Sequence, residues 1–128
     1  MLSSFARRPA PGAAAVASAM SLAETFRAEA LRELQARVAH LRQSLTWARA
    51  RALPEAQYQD VVVAAREVLL TTFRQVDMPA PGHVLVTVQI ARHGLGGPTT
   101  FKIEGGLVLS SDGSVRDATD EELLRSGA

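Results

Sequence analysis

The chain has 128 residues, a length that fits one domain with a single hydrophobic core. It contains no cysteine, which excludes a disulfide scaffold, a thiolate zinc site and a cysteine nucleophile. Its formal net charge is +1, so no overall electrostatic attraction to nucleic acid or to a membrane surface is expected.

Residues 1–20 differ in composition from the rest of the chain. They contain two arginines and no acid, and residues 9–15 consist of Pro, Gly and Ala. This composition suits an organelle transit peptide; a secretory signal cleaved near Ala17-Ser18-Ala19 and a translation start at Met20 are the alternatives. On each interpretation residues 1–20 are a disordered or targeting extension, and residues 21–128 form one α+β domain.

The location of the protein is predicted from the same segment and from hydropathy. No apolar run approaches the roughly 18 residues that a membrane-spanning helix needs. We therefore expect a soluble intracellular protein without a membrane span. It is expected in the cytoplasm, or in mitochondria or another organelle if residues 1–20 are a transit peptide.

Residues 21–52 predict a first long helix. Ser21 and Glu24 have the spacing of a capping box at its start. Apolar residues then follow at alternating intervals of three and four: Leu31, Leu34, Val38, Leu41, Leu45, Ala48 and Ala52. Such a heptad pattern is typical of a helix that packs along another helix, as in a coiled coil. In a parallel homodimer Arg37 and Arg42 would face each other, so the pattern favours an antiparallel partner.

Residues 54–76 predict a second helix. Pro54 suits the first turn of a helix, and residues 77–82 contain two prolines and a glycine that end it. Apolar and small residues recur between them at intervals of four and three: Tyr58, Val62, Ala65, Leu69, Thr72 and Val76. Because the connection is only a few residues long, the two helices are expected to form an antiparallel αα-hairpin.

Residues 83–117 predict a small antiparallel β-meander. Alternation is strict along the first strand, where Val84, Val86, Val88 and Ile90 share one face. Thr119 and Glu122 form another capping box, which predicts a short helical turn over residues 119–126. The expected fold class is therefore α+β: an antiparallel αα-hairpin, then a β-meander, then a short C-terminal helix.

No pattern in the sequence predicts a catalytic residue, a metal site or a cofactor. The glycines of residues 94–97 precede Pro98 and a strand, whereas a phosphate loop requires a helix N-terminus directly after its glycines. The histidines lack the spacing of metal ligands; they are His40, His83 and His93. An enzyme is therefore not expected.

The first helix carries the features that its own packing does not explain. Trp47 lies opposite the leucine pattern, where a sheet or a partner has to cover it. A basic edge accompanies it, formed by Arg37, Arg42, Arg49 and Arg51. Residues 20–51 carry six arginines against three glutamates, and residues 103–128 carry six acids against two arginines. Trp47 and the four arginines of the basic edge are the predicted partner-binding residues. As an alternative, the basic residues 20–51 and the acidic residues 103–128 attract each other within the domain.

Three functions are compatible with the sequence. The favoured one is a non-enzymatic interaction or assembly protein that uses the amphipathic helix pair to dimerise or to dock on a larger complex. The second is an accessory protein that binds nucleic acid through the arginine-rich edge of the first helix. The third is a small-ligand domain or enzyme that uses the loops near His93 and Asp112.

Overall fold

The computed structural model describes residues 11–94 and 97–125, with side chains from residue 22 onward. The elements in chain order are helices α1 (Pro11–Ser44) and α2 (Trp47–Arg51), strands β1 (Ala56–Val63), β2 (Arg66–Val76), β3 (His83–His93), β4 (Thr99–Ser110) and β5 (Val115–Asp117), and helix α3 (Asp120–Arg125). The strands form one antiparallel sheet in the order β1-β2-β3-β4-β5. A long helix followed by a five-stranded antiparallel sheet is thus the architecture.

The prediction of a second helix over residues 54–76 is wrong, and with it the helical hairpin and the coiled coil. This segment is the β1–β2 hairpin, in which Val63 pairs with Arg66. Ala64 and Ala65 form its two-residue turn with φ angles of 49° and 61°. These signs match a type I′ turn, which normally contains asparagine or glycine. Because two alanines carry no turn signal, the hairpin resembles a continuous helix in the sequence.

The first helix is also divided differently from the prediction of residues 21–52. α1 ends at Ser44, and α2 begins at Trp47 after Thr46, whose Oγ1 accepts a hydrogen bond from the backbone N–H of Arg49 at 3.2 Å. α1 begins at Pro11, within the predicted extension, while residues 1–10 lie outside the described residues. The targeting role of residues 1–20 therefore stays a prediction.

The apolar side of α1 packs against the sheet. Phe26, Ala30 and Leu34 are at most 5% exposed. They form one cluster with the strand residues Val63, Val68, Leu70, Val88 and Ile90. Part of the heptad pattern therefore faces strands rather than another helix, and Leu31 remains 45% exposed.

α2 covers the other end of the same sheet face. Its Ala50 is fully buried, in a cluster with Val84, Val86, Leu107 and Leu109. Val84, Val86, Val88 and Ile90 thus point toward the helices, as the alternation along this strand predicts. Residues 83–117 contain β3, β4 and β5, so the predicted meander is three strands of a larger sheet.

The opposite face of the sheet is closely packed at its centre. The pairing register places Thr71, Leu85, Thr87, Ala91 and Val108 on that face. Each of these five residues is at most 4% exposed. β3 is therefore buried on both faces, which agrees with its nearly continuous apolar sequence.

A reciprocal cap fixes α3 beside the sheet. The backbone N–H of Thr119 donates to Glu122 Oε1 at 2.9 Å, and the backbone N–H of Glu122 donates to Thr119 Oγ1 at 3.2 Å, as the capping-box spacing predicts. Both terminal nitrogens of Arg116 donate to the Glu122 carboxylate, at 2.7 and 2.8 Å. Chiefly because of Arg116, with the Thr119 N–H contributing, the pKa of Glu122 falls to about 2.

Candidate functional site

Strand β1 forms one edge of the sheet and leaves half of its backbone polar groups unpaired by β2. The backbone N–H of Arg74 donates to the carbonyl of Glu55 at 3.0 Å, immediately before β1. Hydrogen-bonded pairs alternate along an antiparallel ladder, so the odd-numbered residues of β1 are those that bond to β2. The even-numbered residues therefore direct their N–H and C=O groups away from the sheet; they are Ala56, Tyr58, Asp60 and Val62.

Two large apolar side chains of this edge are exposed. Tyr58 is 67% exposed and Val62 is 69% exposed. They are four residues apart in one strand, so they share the sheet face opposite α1 and lie about 13 Å from each other. Between them Asp60 is also exposed. β1 thus presents main-chain donors and acceptors together with apolar side chains.

β1 lacks most of the features that usually protect an edge strand. The strand is eight residues long, and it contains neither proline nor lysine. Natural edge strands are commonly shortened, bulged or given such residues, because an open edge pairs with other chains. Asp60 is the one charged residue between Ala56 and Val63. β1 is therefore suited to pairing with an added strand.

The other edge of the sheet differs from β1 in length and covering. β5 has three residues and pairs only with residues 107–109 of β4. Arg42 Nη2 donates to the carbonyl of Val115 at 3.3 Å, and the backbone N–H of Ala118 donates to the carbonyl of Gly106 at 2.9 Å. Side chains and α3 thus flank this edge, whereas among the described residues no strand pairs with the outer side of β1.

Two arginines of the predicted basic edge have acidic partners within the chain. Arg37 Nε donates to Glu33 Oε1 at 2.9 Å, one helical turn away. Arg42 Nη1 donates to Asp117 Oδ1 at 2.8 Å, which joins α1 to the end of β5. The second pair connects the basic first part of the chain with its acidic last part. Both arginines thus have an internal role, and their predicted role in partner binding stays a prediction.

The remaining predicted residues, Arg49, Arg51 and Trp47, lie on α2. Arg49 Nη1 lies 3.5 Å from the carbonyl of Ser44, and Arg51 Cζ lies 4.7 Å from the ring centroid of Trp47. Trp47 is half-buried against the cluster of Ala50 and strand residues, so the sheet covers much of the ring. Its Nε1 is buried and has no hydrogen-bond partner among the described residues. A partner-binding role for these side chains also stays a prediction.

The structure does not bring His93 and Asp112 together. His93 pairs with Thr99 at one end of the β3–β4 ladder, whereas Asp112 follows the other end, where His83 begins β3. With eleven residues in β3, the two ends are separated by about 30 Å. Hydrogen bonds from the backbone and hydroxyl of Ser114 lower the pKa of the Asp112 carboxyl. The described residues also contain no group of three or more potential metal ligands.

One cavity of the described structure is an open groove between α1, β4 and α3. It has a volume of about 410 Å³, and its walls include Leu31, Leu34 and Leu123. Arg42 and Asp117 also line it, and they form an ion pair with each other. Glu104 and Asp120 line it as well, so the groove combines apolar and acidic side chains.

Sequence reasoning missed Tyr58 and Val62 as surface residues because it placed them on the buried side of a helix. The run Val61-Val62-Val63 was the available signal, since consecutive β-branched residues favour a strand. No protein-family model, curated protein or solved structure matches the chain. No helix in the described part of the chain has the length and apolar character required to cross a bilayer.

Proposed function

We propose that the chain is a non-enzymatic interaction and assembly protein, and that its β1 pairs with β1 of a second copy. The observation that carries this proposal is the open β1 edge, with outward main-chain groups on alternate residues and exposed Tyr58 and Val62. Addition of a strand to a sheet edge is a common mode of recognition, because main-chain hydrogen bonds supply affinity. The partner surface is thus an edge strand and not a pair of helices.

The most complete symmetric pairing has its two-fold axis at Gln59. Ala56 then lies opposite Val62 of the second copy, and Tyr58 lies opposite Asp60. The outward groups of the even-numbered residues give about eight main-chain hydrogen bonds in this register. Tyr58 is also diagonal to Val62 of the second copy, and this gives a favourable aromatic–aliphatic pair. A two-fold axis at Asp60 would instead oppose two carboxylates and shorten the ladder, so it is disfavoured.

The contact is expected to be reversible. A strand pair with a few side chains falls at the small end of specific interfaces, which bury less than about 1,200 Å² in total. Interfaces of this size are typical of weak or transient association. A dissociation constant of about 1–100 μM is therefore expected. The mass of the protein should rise with concentration across that range.

Sedimentation velocity across a concentration series tests this proposal with one informative substitution. Asp60→Pro removes an outward N–H and leaves the ladder to β2 intact, since proline is tolerated on an edge strand when its nitrogen faces solvent. The matched control Asp60→Ala removes the same carboxylate but keeps the N–H. We expect the wild type and Asp60→Ala to dimerise and Asp60→Pro to remain monomeric.

A second pair of variants guards against misfolding of Asp60→Pro. Tyr58→Asp places a carboxylate directly opposite Asp60 of the second copy, and like charges opposite each other destabilise a strand pair. Gln57→Asp adds the same charge to the other face of β1, opposite Val61 of the second copy. Loss of the dimer only in Tyr58→Asp supports the proposal. A monomeric wild type at about 500 μM, well above the expected constant, or a dimer that survives both Asp60→Pro and Tyr58→Asp, contradicts it.

A further inference from the structure

A second cavity lies at the end of the sheet where α1 meets the β1–β2 turn and the β3–β4 hairpin. Its volume is about 240 Å³. Arginines from three elements line it: Arg27 of α1, Arg66 of β2 and Arg92 of β3. Phe26 and Phe101 also line it, with ring centroids 4.9 Å apart in an edge-to-face contact. We call this cavity the arginine pocket.

The two phenylalanine rings hold the arginines in place. The Cζ atoms of Arg66 and Arg92 lie 5.5 and 6.0 Å from the ring centroid of Phe26, and Cζ of Arg27 lies 5.9 Å from that of Phe101. Phe26 is 5% exposed and belongs to the core cluster that it forms with Ala30, Leu34 and strand residues, so this part of the pocket is part of the core. A cation–π contact orients a guanidinium and leaves its N–H groups available to an anion.

Among the described residues, no side-chain carboxylate forms an ion pair with an arginine of this pocket. All thirteen acidic residues of the chain fall within the described residues 24–122. The ion pairs of the structure join acids to Arg37, Arg42, Arg116 and Arg125. Arg27, Arg66 and Arg92 therefore bring three positive charges to one small cavity without a carboxylate partner. Like charges gathered in this way repel one another unless an anion lies between them.

We propose that the arginine pocket binds the dianionic phosphate group of a small phosphate monoester. A carboxylate has two oxygens and one charge, so a single bidentate arginine satisfies it. A phosphate monoester has three terminal oxygens and about two charges at neutral pH, which match three guanidinium groups. The hydroxyl of Thr100 at the rim donates to the carbonyl of Arg92 at 3.1 Å, which ties the end of β3 to β4. The pocket is thus assembled before the ligand arrives.

Isothermal titration calorimetry with phenyl phosphate at constant ionic strength tests this site. We expect a dissociation constant below about 1 mM. Each of Arg27→Gln, Arg66→Gln and Arg92→Gln should weaken binding about tenfold, because each removes charge-assisted hydrogen bonds. Arg32→Gln is the matched control, since Arg32 is an exposed arginine of α1 that does not line the pocket. Inorganic phosphate should also bind.

Further arms identify the ligand chemistry and separate this site from the β1 edge. Dimethyl phosphate, a diester with a single charge, should bind at least about tenfold more weakly than phenyl phosphate if the dianion is recognised. Arg92→Lys keeps the charge without the planar fork and should bind with intermediate affinity. Asp60→Pro should bind phenyl phosphate like the wild type, because β1 self-pairing and the arginine pocket are separate.

Three outcomes would overturn the phosphate proposal. The first is an absence of binding heat with about 10 mM phenyl phosphate, a concentration well above the expected constant. The second is an equal effect of Arg32→Gln and the pocket variants, which would indicate only nonspecific charge attraction. The third is tighter binding of dimethyl phosphate or a single-stranded oligonucleotide than of phenyl phosphate, which would indicate a phosphodiester or nucleic-acid surface.

Discussion

The alanine turn between β1 and β2 makes a prediction in which one substitution has opposite effects at two positions. Ala65 is exposed and has a φ angle of 61°. A side chain in this left-handed region costs about 1–2 kcal/mol, whereas glycine avoids that cost and loses about 0.5–1 kcal/mol more conformational entropy on folding. Ala65→Gly should therefore stabilise the protein by about 0.5–1 kcal/mol. Ala36→Gly, at an exposed position inside α1, should destabilise it by about 1 kcal/mol.

Urea denaturation followed by circular dichroism measures both effects. The midpoint should rise for Ala65→Gly and fall for Ala36→Gly at an unchanged slope. Ala65→Val provides a third point, because a β-branched residue is strained at positive φ and should lower the midpoint. If Ala65→Gly destabilises the protein as much as Ala36→Gly, residue 65 is not in the left-handed region and the assigned turn is wrong.

Two further predictions concern the C-terminal part. The pKa of Glu122 is lowered from 4.5 to about 2, so its pairing with Arg116 should add about 1 kcal/mol of stability above pH 4.5 that is lost as the pH falls toward 2. Glu122→Gln should remove this acid dependence in denaturation at pH 7 and pH 3; an unchanged dependence would contradict the pairing. A Cβ at Gly106 would overlap the carbonyl oxygen of Val86, whereas one at Gly105 finds ordinary contacts of 3.6 Å. Gly106→Ala should thus lower the thermal midpoint strongly and Gly105→Ala weakly, and equal effects would contradict this packing.

The sequence predicted some of the local features whose signals occur within a few residues, but not the start of the first helix: α1 begins at Pro11 and not at the capping box of Ser21 and Glu24. The capping box at Thr119 and Glu122 and the alternation along β3 are both present in the structure. The prediction of a helix over residues 54–76 was wrong for a geometric reason. A separation of four residues, such as that between Tyr58 and Val62, places two side chains on one face of either a helix or a strand. The deciding feature was the turn at residues 64–65, which has no sequence signature.

The arginine pocket could not be predicted from one-dimensional spacing. Arg27, Arg66 and Arg92 lie far apart in the chain, and only the pairing of β2, β3 and β4 beneath α1 brings them together. The arginines that the sequence analysis selected each contact another group of the same chain; they are Arg37, Arg42, Arg49 and Arg51. The pairing of Arg37 with Glu33 follows a visible i, i+4 spacing, which is common on exposed helices. A basic residue that stands out in a helical pattern is thus a poor indicator of a cation without an acidic partner.

The inequality of the two sheet edges limits how large an assembly can become. If two copies join through β1, each ten-stranded sheet ends on both sides at β5, where three paired residues and the adjoining α3 leave little backbone for another copy. In such an isologous contact both copies use the same surface, so the dimer has no free β1 edge for a third copy. The same fold with two open edges would polymerise into a filament. Because the short β5 leaves no edge for a further copy, self-pairing of β1 would stop at a dimer even though the β1 edge is unprotected.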